Sequence, residues 1–108
     1  MTPEDKAAQA ASLHATSQRA FEARQVLDNP AFRYAMDGLK AEIVSNWRQA
    51  PIRDAEGQRL LLQMAKVCDL FEGMLVGMLE SGKLAQAKID IDDMRSDSTT
   101  RRLLRKVL

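Results

Sequence analysis

Few side chains in this sequence could carry chemistry, and their spacing keeps them apart. The chain has one histidine, His14, and one cysteine, Cys68. A thiolate attacking with an imidazole holding its proton would need the two side by side. His14 stands in an Ala-rich stretch and Cys68 among regularly spaced apolar residues, so the pattern predicts a surface histidine and a core thiol. Asp90, Asp92 and Asp93 have the spacing of part of a calcium loop, but the glycine and the closing glutamate that such a loop needs are missing, and a solvated acidic segment is the simpler reading. No Gly-rich phosphate loop occurs. The sequence therefore offers no catalytic, cofactor-binding or metal-ligating residue, and a protein that works by binding partners is expected.

Residues suited to binding are more numerous. Of the six methionines, Met64, Met74 and Met78 share one segment. They form either an adaptable groove or an ordinary filled core. Gly73 and Gly77 stand four apart in that segment, where each costs a helix roughly 1 kcal/mol relative to alanine. Either another helix approaches closely there, or the helix simply tolerates them.

Three helices are expected to position these groups. The first spans about 2–27, with Thr2 as N-cap, Pro3 in the first helical position, and Glu4 and Asp5 at the positive end of the dipole. Its seam of Leu13, Thr16, Ala20, Ala23 and Leu27 is narrow and made of small side chains. Asp28-Asn29-Pro30 breaks the pattern and starts a second helix, about 30–49, with the stripe Phe32, Met36, Leu39, Ile43 and Trp47. Ala50-Pro51 ends it, and Asp54 caps a third helix over about 54–81. The third carries two interleaved heptad rows, Leu60, Val67, Met74 and Met64, Phe71, Met78, which are assigned as the core or oligomer face. Leu61, Cys68 and Leu75 widen that face, while Gln63, Lys66, Asp69, Glu72 and Glu80 are placed on the wet side. Ser81-Gly82-Lys83 reads as a stop, with Gly82 as the left-handed residue after the helix. The fold class is all-α, a helical hairpin or three-helix coiled-coil-like core over 1–83 with a flexible C-terminal tail. The face of the third helix is too broad for the thin first helix to cover, so a homo-oligomer is expected.

Beyond Gly82 the pattern divides. Leu84, Ala87, Ile91 and Met94 fit a helix, whereas Ile89-Asp90-Ile91-Asp92 alternates like a strand. Residues 84–97 hold four aspartates against Lys88 and Arg95, a net −2 that reads as an acidic linker; 95–100 is rich in turn-forming residues. Residues 98–108 reverse the charge, with four basic residues and no acid, net +4. The tail Arg101, Arg102, Leu103, Leu104, Arg105, Lys106, Val107 and Leu108 combines a basic edge with an apolar one. It suits either a protein groove or weak, non-specific contact with nucleic-acid phosphate. No helix-turn-helix or interleaved aromatics support base-specific reading.

At 108 residues, the chain has the size of one domain, and its apolar residues favour helix over sheet. A single cysteine excludes an internal disulfide framework, and an acidic start and the lack of a long apolar run argue against secretion and membrane insertion. A cytoplasmic protein without membrane contact is expected.

The strings Leu27-Asp28-Asn29-Pro30-Ala31-Phe32, Trp47 with Pro51, Arg53-Asp54, Glu56-Gly57 and Gly82-Lys83-Leu84-Ala85 resemble short helical proteins encoded by tailed phages and prophage-like elements, near head and DNA-packaging genes. The resemblance covers about 27–85. Within that setting the nearest functional analogue is the terminase small subunit. It implies a helical centre that assembles into a ring in a bacterial host, and a C-terminal tail that engages the large terminase subunit. Many such subunits carry an N-terminal helix-turn-helix, which residues 2–27 do not supply, so sequence-specific DNA recognition is not implied. The alternative is a compact monomeric inhibitor or decoy directed at a host enzyme.

Overall fold

The computed structural model describes the backbone over residues 2–107 and the side chains over 2–95. It is all-α: α1 is Pro3–Leu27, α2 is Pro30–Gln49 and α3 is Ala55–Val107. The helix starts follow local chemistry. At the first, the Thr2 backbone N–H donates to the Asp5 carboxylate (3.2 Å) and the Asp5 N–H donates back to the Thr2 hydroxyl (3.1 Å), a reciprocal capping box. Between α1 and α2, the Asn29 side chain accepts from the N–H groups of Ala31 (2.8 Å) and Phe32 (3.2 Å), while Pro30 takes the position whose N–H would have no partner. Ala50 is extended (φ −65°, ψ 137°), as a residue before proline must be, and this ends α2. Asp54 then caps α3 by accepting from the Gly57 N–H at 3.0 Å.

The chain folds as two compact units, Met1–Glu22 with Met78–Leu108, and Ala23–Gly77. In the first, α1 runs antiparallel to the C-terminal part of α3. Gly82 lies under Thr16 and Ala20, and further along Ser17 donates its hydroxyl to Gln86 Oε1 at 2.9 Å. Ala20, Ala85 and Ile89 are its buried apolar residues among those described. In the second, α2 runs antiparallel to the N-terminal part of α3. The Phe32 ring meets Phe71 (centroids 6.1 Å apart, planes at 47°), and Lys40 Nζ lies 2.7 Å from Glu72 Oε1. Ala23, Ile43 and Cys68 are buried there.

Three expectations change. The third helix does not stop at Gly82 but continues through the supposed linker and turn to Val107, and no described glycine has positive φ. Gly82 is a crossing point: a Cβ built on it would run into the Ala20 Cβ and stand 3.4 Å from the Ala20 Cα. What reads locally as a stop is a residue stripped to hydrogen so that two backbones can meet, and packing of that face offsets its low helix propensity. The alternation at 89–92 is likewise helical, with Ile89 buried and Ile91 exposed. Finally, Glu72 leaves the wet side and stands half-buried against Lys40.

Candidate association face

The inward row of α3 is Leu61, Ala65, Cys68, Glu72, Leu75, Leu79 and Gly82, all buried or half-buried and spaced alternately by four and three. The row assigned from sequence, Leu60, Met64, Val67, Phe71, Met74 and Met78, precedes it by one residue at each step. One residue is about 100° of helix rotation, so α3 carries two parallel heptad rows on adjacent faces. As a core face for the single chain, the sequence assignment is corrected. All six residues are exposed, from 39% for Met78 to 63% for Val67. Where α1 packs on α3 the inward row is small: Gly82 against Ala20 allows an approach that Met or Phe would hold apart.

The exposed row is widened on its outer side by Gln63, Leu70 and Gly77, and none of its own six residues between Leu60 and Met78 is charged. Lys66 borders this outer edge, one residue before Val67, whereas Asp69 and Glu80 fall on the opposite side of the helix by their spacing. Nothing stands within 4 Å of a Cβ built on Gly73 or Gly77, so within one chain neither glycine serves a close approach. Phe71 joins the row to α2 through Phe32 and leaves the rest of its ring open.

Sequence reading missed a second apolar feature. Where α2 ends against α3, Ile43, Val44 and Trp47 with Leu61, Leu62 and Ala65 line an open cleft of about 180 Å³. Trp47 is 55% exposed and does not close the end of α2, because the inward positions of α2 are Phe32, Met36, Lys40 and Ile43. The only signal for Lys40 was its spacing, four residues after Met36. Its hydrogen bond to Glu72 and the nearby charges of Glu72, Asp69 and Asp37 hold the ammonium above its ordinary value of 10.5, against the opposing pull of partial burial.

His14 is exposed on the first unit and Cys68 is buried in the second. Asp90, Asp92 and Asp93 stand exposed on α3, with Asp90 accepting from Gln86 Nε2 at 3.0 Å; no group of three possible ligands is arranged to hold a metal ion among the described residues. No helix among them is long and apolar enough to cross a membrane. The tail side chains Arg101 to Leu108 lie outside the described residues. Comparison with family models, curated proteins and solved structures gave no match for this chain.

Proposed function

We propose that the chain is a non-enzymatic assembly adaptor of a phage-like particle, of the terminase-small-subunit kind. It self-associates through its helices in the cytoplasm of a bacterial host and engages a partner protein through residues 98–108. The observation that supports this reading is the uncharged, exposed row from Leu60 to Met78, a face of a length suited to cover by another protein surface. The resemblance over 27–85 supplies the packaging context, and the net +4 tail supplies a segment able to reach a large terminase subunit or, weakly, DNA phosphate. The test is capture of a large terminase subunit, sought among the genes that flank this one. The full chain retains it, and a chain ending at residue 97 does not. Retention by neither, with no salt-sensitive DNA binding, overturns the adaptor role and favours a monomeric inhibitor.

A further inference from the structure

Two-helix packing covers only half of the apolar arc of α3. One row lies against α1 or α2 and the other, about 100° away, faces water. Six large side chains, each roughly half exposed, amount to on the order of 600 Å² of apolar surface. That is at the upper end of the roughly 300–600 Å² that the largest apolar patch of a monomer reaches, and most of the ~800 Å² of total surface each partner contributes to a stable dimer.

The nature of the cover follows from how little each unit buries. No described large side chain is fully buried, and in the unit Ala23–Gly77 the buried set is Ala23, Ile43 and Cys68. So small a buried core contributes little to stability, and covering the exposed row would add to it. A second copy is the partner whose concentration always rises with the chain's own. An uncharged heptad row also meets its own copy without repulsion, as an isologous interface requires.

We infer that a second copy of this chain covers the row, packing Leu60, Met64, Val67, Phe71, Met74 and Met78 against the same residues of its twin. This rests on the self-associating adaptor reading and gives it a face. Gly77, flanking the row with open space above it, lets the two helices come close at that point.

The experiment combines light scattering of the purified full chain with peroxide oxidation of its methionines. The expected mass is a multiple of 12.1 kDa. Met64, Met74 and Met78 then oxidise about tenfold slower than in the guanidinium-unfolded chain, and the protection fades on dilution together with the mass. Val67→Glu reduces the mass to that of one chain, whereas Ile52→Glu, on the 94%-exposed turn residue, leaves it unchanged. A single-chain mass for the wild type at all concentrations overturns the inference. So does an oligomer whose three methionines react within about twofold of the unfolded rate. If Val67→Glu fails to fold, the wild-type methionine pattern decides. An oligomer with reactive methionines rejects this face and leaves the adaptor reading standing; protected methionines without partner capture reject the adaptor role and leave the face.

Discussion

At the scale of the residue, Gly82 and the pair Lys40–Glu72 each have a role that their own type disguises. Alanine at position 82 gains roughly 1 kcal/mol of helix propensity but places a methyl on the Ala20 methyl, an overpacking cost of about 1–3 kcal/mol. Gly82→Ala is therefore expected to lower the thermal midpoint. Exchanging the methyl, as Ala20→Gly with Gly82→Ala, restores both total propensity and local volume and brings the midpoint back towards wild type. Gly38→Ala is the contrast: nothing lies within 4 Å of its Cβ position, so only propensity acts and stability rises by about 0.5–1 kcal/mol. Lys40 gives a pH signature. Its pKa is raised in the folded chain, so its contribution is complete below the ordinary value of 10.5 and is lost as pH climbs through the folded value. The urea midpoint of wild type relative to Lys40→Met should stay constant from about pH 7 to about pH 10 and shrink above 10.5; a constant difference through that upper range would show the pair to be uncoupled.

At the scale of the element, α3 shows what periodicity can and cannot reveal. Caps at Thr2 and Asp54, the break at Asp28-Asn29-Pro30 and the seam of α1 are local chemistry, and all of them read correctly from the residues. The end of α3 did not, because a Ser-Gly-Lys stop depends on whether another backbone passes overhead, which only tertiary structure decides. Choosing between two heptad rows failed for a related reason. Apolarity ranks Leu60, Met64, Val67, Phe71, Met74 and Met78 first, whereas close packing selects the smaller row beside it. The isoleucines at 89 and 91 test the helical reading, since a strand would place them on one face and a helix separates them. Ile89→Ser, at a buried site, is expected to cost about 2–4 kcal/mol, and Ile91→Ser, half exposed, under about 1 kcal/mol by chemical denaturation. Equal costs would restore the strand.

At the scale of the whole molecule, apolar surface and charge are divided between different stretches of chain. The uncharged row ends at Met78, the last buried residue among those described is Ile89, and the basic residues of the tail begin at Arg101. The proposed self-association and partner capture thus fall on residues far enough apart in the chain to be removed separately. Deleting residues 98–108 is expected to leave the oligomer mass and thermal midpoint unchanged, because no described core residue lies beyond position 89, and to abolish capture of the partner. Two sets of substitutions then separate the chemistry of that capture. Leu104 and Leu108 to Ser removes apolar anchors and should release a protein groove while sparing the interaction with phosphate. Changing Arg101, Arg102 and Arg105 to Gln should leave groove docking largely intact and flatten the salt dependence of DNA binding by about one unit of slope for each phosphate no longer neutralised. A tail-deleted chain that still captured its partner in full would move the docking site onto the helices, with the cleft of Ile43, Trp47 and Leu62 as the surface to mutate next.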